Sequence, residues 1–415
     1  MGDVQLTPAF VFRYEKRMRA IQENEYARTL LAENNWWPKV AKTLPIDGAS
    51  ERLTWFLNTA QIRPAGDGGN IQFDPLVAQS TELVPQVYES AIRVQKDQLL
   101  DLRGGGLDTL ADWSMQVGAA TAGWFPQKIL AELLMNGAAT DGSAAAYDGV
   151  PFFADNTTST TFAGVSLIGH PYNPYLPGLG GYVNWLHGSA TTFVSGAATV
   201  TYPGALPIHA VGSGNVSVDT AFNNVAQAIA YAKSIKMPNG ITPRYLAPIA
   251  MVVPPALIFR ATEITQAKVI AQAAGASGGG GADVEAVIRR FGLQVPIQAD
   301  ELASSTSYTT QIKQAAQAAI TQASGVTTIY KPTITGNDTT WYLIMRENMT
   351  SQLGGFIYVN RFPFQTNYFT GDTSTGPATG IDAILNRARQ VEYICQGKVG
   401  MQYGHPYAVL RIDGS

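Results

Sequence analysis

Apolar residues recur at helical spacing over residues 8–35, with Phe10, Tyr14, Met18 and Ile21 on one face and Tyr26 and Leu30 continuing it. Arg13, Lys16, Arg17 and Arg19 form a basic cluster beside this stripe, either a solvated face or a contact for an acidic neighbour or nucleic acid. Asn34-Asn35 ends the helix, and Trp36-Trp37-Pro38 opens an irregular link. From Arg52 to Gln95 the period falls to two. Leu53, Trp55 and Leu57 alternate with Thr54, Phe56 and Asn58. A turn-rich stretch from Pro64 to Gly69 follows, then Ile71 and Phe73, then a return strand with Ile92 and Val94. Few of these residues could form a private core, and so long a two-stranded arm is marginal alone in water. The pattern predicts an arm that lies on a neighbouring subunit.

After the flexible joint Arg103-Gly104-Gly105-Gly106, helical spacing runs from about Leu107 to Met135 through Leu110, Val117, Trp124, Leu130 and Leu134. Such a helix would span about 45 Å, the dimension of a spine. It contains a small-residue segment, Gly118 to Gly123, and Pro126, which predicts a kink. Residues 156–216 are rich in Gly, Thr, Ser, Ala and Pro, and there is no lysine or arginine between Lys128 and Lys233. Phe162, Leu167, Tyr172, Tyr175, Trp185 and Phe193 favour a packed β-rich insertion over a disordered linker.

A helix is expected over Asp219–Lys236 with Asp219 as its N-cap, then a strand over Ala247–Val253 and a helix from Pro255 to about Ala274. Beyond the glycine run Gly278–Gly281, Val284–Ile297 reads as strand or short helix plus strand, and Gln311–Ala323 as an Ala/Gln-rich helix. Strands are expected at Trp341–Arg346, Phe356–Phe362, Arg389–Met401 and Tyr407–Ile412. Helices and strands do not alternate, so the class is α+β and not a doubly wound parallel sheet.

Composition adds a reason to expect assembly. Of 415 residues 46% are hydrophobic but only 14% are charged, so much of the surface must be uncharged or covered by other molecules. The net charge of −3 argues against a protein that tracks DNA phosphates along its length, although a container enclosing nucleic acid remains allowed. The lone cysteine, Cys395, excludes an intrachain disulfide and reads as a buried thiol in a strand. The N-terminal residues carry no secretory h-region, and the apolar run Tyr245–Phe259 is short and broken by prolines, so no membrane partner is expected.

No catalytic constellation emerges. The glycine clusters lack nucleotide-binding spacing, and no GxSxG or HExxH occurs. His170, His187, His209 and His405 are not at close ligand spacing, so neither a metal nor a cofactor is expected.

Four segments in order resemble the Mu-like prophage major head subunit family. They are Ile92–Leu99, Lys128–Gly137, Tyr147-Asp148-Gly149-Val150-Pro151-Phe152-Phe153 with His170-Pro171 after it, and Met251–Leu257 with its Pro254-Pro255 pair. A weaker likeness follows at Trp341-Tyr342-Leu343 and in the last strands. In relatives the His-Pro pair follows the Phe-Phe pair closely; here Asn156–Gly169 intervenes, which puts the local fold of 156–217 in question.

The resemblance implies the Hong Kong 97-type phage capsid fold. It maps residues 1–50 to an N-terminal arm, 51–100 to an extended β-hairpin loop, and 101–155 to the spine helix and start of a peripheral domain. Residues 156–217 are then an insertion, 218–375 an axial domain, and 376–415 strands returning to the peripheral domain. The implied function is a non-enzymatic, self-assembling icosahedral head shell of hexamers and pentamers around double-stranded DNA, without sequence-specific binding. A separate scaffolding protein and a portal are implied partners, with room for a decoration protein, and assembly in the host cytoplasm. The family's Lys–Asn crosslink is not assignable here; Lys96 is a candidate by position alone. Inter-subunit contacts are expected from Phe10, Tyr14, Trp36 and Trp37 in the arm and from Trp55, Phe56, Ile71 and Phe73 in the loop. The alternatives are a bacterial compartment shell of the same fold, or a secreted β-rich hydrolase or adhesin.

Overall fold

A computed structural model describes residues 8–56, 78–95, 109–139, 144–157, 159–162, 164–195, 198–209, 216–266, 293, 296–304, 336–347, 354–369 and 390–414. Ile71, Phe73, Lys96, the glycine joint at 104–106, the glycine run at 278–281 and the helix expected at 311–323 lie outside these residues.

Helix α1 (Pro8–Leu30) is followed by the short α2 (Trp37–Val40) and strands β1 (Ala41–Pro45), β2 (Glu51–Phe56), β3 (Ala78–Leu83) and β4 (Gln86–Gln95). Strands β2 and β3 form an antiparallel hairpin from Glu51↔Leu83 to Phe56↔Ala78. The strand expected to return along this arm, β4, does otherwise: it pairs with the C-terminal strand Gln390–Tyr403 in the body of its own chain. Leu83, between the two, is fully buried against Ile46, Ile357 and Val359. The β4 end of the segment 52–95 is thus anchored internally, and among its described residues the β2–β3 hairpin stands apart as a two-stranded sheet.

The spine is one continuous helix in three parts, α3 (Thr109–Ala119), a π-helical turn (Ala120–Trp124) and α4 (Phe125–Asn136). Pro126 falls in the first turn of α4, directly after the π turn, so its missing N–H bears on the carbonyls of that turn. The irregularity expected at Pro126 takes the form of the π turn just ahead of it, where the Phe125 N–H reaches back to Ala120 O.

The insertion is packed. Hairpin β5–β6 (Ser159–Phe162, Val165–Ile168), the pair β7–β8 (His170–Pro171, Gly181–Tyr182), β9 (Trp185–Leu186) and hairpin β10–β11 (Thr191–Ser195, Ala198–Tyr202) succeed one another. Tyr172, Tyr182, Val183, Leu186, Tyr202, Leu206 and Ile208 bury themselves in a core shared with helix α5 (Val218–Ser234). The N-cap of α5 is Ser217, not Asp219: Ser217 Oγ accepts from Thr220 N at 3.2 Å. Asp219 sits two residues after the cap, where its carboxylate still meets the positive end of the helix dipole.

Strand β12 (Leu246–Val253) leads into α6 (Ile258–Gln266), followed by β13 (Ile297–Gln298), β14 (Trp341–Glu347), β15 (Phe356–Phe369), β16 (Gln390–Tyr403) and β17 (Val409–Ile412). Two sheets result, in strand orders β1-β15-β16-β4 and β13-β12-β14-β17-β9. The second is covered on both sides. Met251, Val253, Leu343, Met345 and Leu410 face α5 and α6, while Ala250, Val252, Tyr342, Ile344 and Val409 face the spine core. Burial of both faces explains why these strands read as unbroken apolar runs. The sheets do not follow the boundary expected at residue 375: β15 joins β16 beside the spine, while β17 returns to the second sheet. Among the described residues no helix is long and apolar enough to cross a membrane.

Candidate functional site

The arm helix lies along its own spine. A Cβ on Gly118 would sit 2.6 Å from Gln22 O and 3.1 Å from Glu25 Cβ, and one on Gly123 would sit 3.0 Å from Thr29 Cγ2. The small-residue segment is therefore the groove that lets α1 approach. Gln22 Nε2 donates to Cys395 Sγ at 3.1 Å, its Oε1 accepts from Thr366 Oγ1, and Arg19 Nη2 donates to Thr366 O at 3.1 Å. Burial pushes the Cys395 thiol pKa up, leaving a poor nucleophile.

Trp36 and Trp37 belong to the core of their own chain, 2% and 3% exposed, and not to a contact with a neighbour. Trp36 Nε1 donates to Glu301 Oε2 at 3.1 Å. Trp37 Nε1 donates to Ala122 O at 2.7 Å, and Asn35 Nδ2 reaches the same carbonyl at 3.1 Å. An α-helix would satisfy Ala122 O with the N–H of residue 126, which is proline and has none. The tandem tryptophans were legible as aromatic, but the need at Ala122 is visible only once α1, α2 and the spine are placed together.

Of the other expected contact residues, Tyr14 is half-buried on α1 with the Arg17 guanidinium 5.7 Å from its ring, and Phe10 lies one turn earlier in the same helix. Trp55 and Phe56 end β2 opposite Gln79 and Ala78. At the hairpin base Arg52 Nε donates to Ser80 Oγ at 2.6 Å, and Gln79 Nε2 donates to Tyr147 O.

An open apolar surface that the sequence did not single out lies on the first sheet. Val84, Val87 and Phe362 are 49%, 54% and 55% exposed. Phe362 pairs with Lys398 and Lys398 with Val87, so these three form one cross-strand row. Arg361, Pro363, Gln365, Gln396 and Gly397 complete a shallow cleft of about 420 Å³. The signal was present in β4, where Val87 falls on the polar side of the alternation.

Residues 16–166 match the family model described as Mu-like prophage major head subunit gpT. Over this stretch the chain is similar to these head subunits. No curated protein matched the sequence. Among solved structures, a virus-like particle from Pyrococcus furiosus aligns at TM-score 0.42 and 10% identity, covering 96% of this chain and 99% of that one. The capsid of the cyanophage P-SCSP1u aligns at TM-score 0.45 and 11% identity, covering 90% and 86%.

The region similar to the Mu-like head subunits contains α1 from Lys16 onward, the hairpin, the whole spine and the Asp148 motif. It stops just short of His170, yet the two motifs meet in space. His170 Nδ1 lies 2.8 Å from Asp148 Oδ2, and its Nε2 lies 3.1 Å from Phe152 O. Both side chains are fully buried, so the intervening Asn156–Gly169 loops out without separating the pair. His170 stacks on Tyr182 at 5.4 Å, and Asn184 Nδ2 donates to Phe152 O at 2.7 Å. A histidine–carboxylate pair sealed from solvent has no place for a substrate. It joins the end of the spine to the insertion.

A second buried polar group lies nearby. Arg244 sits 3.7 Å over the Tyr407 ring and 3.4 Å from Glu347, whose other oxygen accepts from Tyr407 Oη at 2.8 Å. His405 stacks on Tyr407 at 4.8 Å; burial, reinforced by the Arg244 charge, pushes its pKa down to about 3. Among the described residues no group of three or more His, Cys, Asp or Glu could hold a metal ion.

Proposed function

We propose that this chain is the structural subunit of a phage head, self-assembling into an icosahedral shell around double-stranded DNA. One observation carries the reading. The stretch shared with the Mu-like head subunits, residues 16–166, is the arm, hairpin and spine, and within it the β2–β3 hairpin pairs with no other strand of its own chain among the described residues. A two-stranded ribbon is marginal alone and gains stability by lying on a neighbour.

The open row of Val87 and Phe362 is the sort of surface such a neighbour covers, and obligate interfaces of this kind bury more than roughly 2,000 Å² in total. Tyr14, Phe10, Trp55, Phe56, Ile71 and Phe73 remain the proposed contacts; Trp36 and Trp37 are withdrawn. The proposed division keeps 1–50 as arm, 101–155 as spine and 156–217 as insertion, and shortens the loop from 51–100 to 51–85. It assigns β4, β15 and β16 to the spine sheet and β12, β14 and β17 to the axial unit. Assembly in the host cytoplasm with a scaffolding protein and a portal, and with room for a decoration protein, belongs to the same reading.

Negative-stain microscopy of the purified protein tests it. Closed shells of uniform diameter are expected; a monodisperse monomer at every concentration would overturn the proposal.

A further inference from the structure

The exposed face of α1 begins with three cations. Arg13, Lys16 and Arg17 are all exposed and stand at i, i+3 and i+4, which places them together on one face. The fourth basic residue of the cluster is turned away: Arg19 bonds Glu15 at 3.2 Å, and the Glu15 carboxylate is largely buried. Farther along, Arg28 is held by Glu25 at 2.6 Å. The next exposed positions on the face, Ala20, Glu23 and Asn24, offer no large apolar side chain. Protein interfaces centre on buried aromatic and aliphatic anchors, and the exposed positions of this face between Arg13 and Asn24 supply none. Concentrated positive charge of this kind suits a polyanionic partner.

We infer that Arg13, Lys16 and Arg17 form a contact for the phosphate backbone of duplex DNA inside the shell. The inference rests on the head-shell reading and adds to it which surface of the subunit faces the lumen. Four residues of helix rise about 6 Å, and that length of duplex carries on the order of three to four phosphate charges, so the two charge densities are comparable. The charge contrast along the chain supports the same polarity: residues 129–232, which include the β5–β6 and β10–β11 hairpins, contain no lysine or arginine. A surface without cations gains nothing by facing a polyanion. The contact is independent of base sequence, because no groove-reading element accompanies the cations.

The test is binding of a short random-sequence duplex to the full-length, unassembled subunit, followed by fluorescence anisotropy across a salt series. Three phosphate contacts predict a slope of log affinity against log salt near −2.7, a loss of roughly 40-fold between 50 and 200 mM. Replacing Arg13, Lys16 and Arg17 together by Gln should bring the slope close to zero with an unchanged melting curve. Replacing the exposed Lys233 and Lys236 by Gln should leave it as in the wild type. The inference fails if the triple variant keeps the wild-type slope, if the control pair loses as much, or if the wild type shows no binding at 50 mM. It also fails if polyglutamate of matched charge displaces the duplex at equal concentration, since the partner is then an acidic protein. Shell formation by the triple variant, scored by microscopy, separates this outcome from failure of the head-shell reading itself.

Discussion

Trp37 donates its indole N–H to the carbonyl of Ala122 at 2.7 Å, and Ala122 is the residue four positions before Pro126. The link between α2 and the spine thus supplies, from a side chain, a donor that Pro126 cannot. Trp37→Phe keeps a large ring but removes the donor, and should cost about 1–2 kcal/mol in urea unfolding. In a Pro126→Ala background the backbone N–H is restored, so the same substitution should cost measurably less. Equal costs in both backgrounds would show that Trp37 acts through packing alone.

Gly118 controls the seating of α1. Its Cβ position lies 2.6 Å from Gln22 O, so Gly118→Val should lift the helix and uncover the thiol that Gln22 touches. Cys395 in the wild type should react with an aromatic disulfide reagent only on the timescale of unfolding. The variant should react at least tenfold faster, and unchanged kinetics would mean that α1 does not guard this thiol.

His170 and Asp148 tie the insertion to the spine. Removing one partner of a buried charged or hydrogen-bonded pair strands the other, a loss of about 3–5 kcal/mol. His170→Ala should show this by chemical denaturation and should loosen residues 159–186 in hydrogen exchange before the rest of the chain.

Acid should destabilise the fold through His405. Its pKa is held at about 3 in the folded chain, below the ordinary imidazole value, so the unfolded chain binds the extra proton first. The stabilising contribution is complete above the unfolded pKa and declines as pH falls from about 6.5 towards 3, with a slope of at most about 1.4 kcal/mol per pH unit. His405→Phe, which keeps the stack on Tyr407, should flatten stability against pH across that window.

Deleting residues 60–75 should leave a soluble, folded subunit that cannot close shells. Normal particles from this variant, seen by microscopy, would remove the hairpin from the assembly mechanism. A double substitution of Val87 and Phe362 by Glu should likewise block assembly while leaving monomer melting within about 0.5 kcal/mol, as expected of surface positions.

Element types were legible because periodicity is local. The 3.6-residue stripe of Tyr14, Met18 and Ile21, the spine, and the apolar runs of β12 and β14 all appear in the structure where spacing placed them. The resemblance to head subunits was likewise carried by short motifs, each readable within a few residues. Partner choice was not legible. β4 could have continued the hairpin by its alternation alone; it pairs with β16 because Tyr88 meets Phe125 of the spine at 4.6 Å and Val94 finds a buried site. Trp37 looked like an interface aromatic until the carbonyl of Ala122 faced it. Asp148 and His170 carried no stated relation until the insertion folded back. Sequence decided which segments are helix and strand and which stripe of each is apolar. Tertiary structure alone decided which stripes meet, because a buried polar or apolar group accepts whatever complementary surface the rest of the chain delivers, however far along the chain it begins.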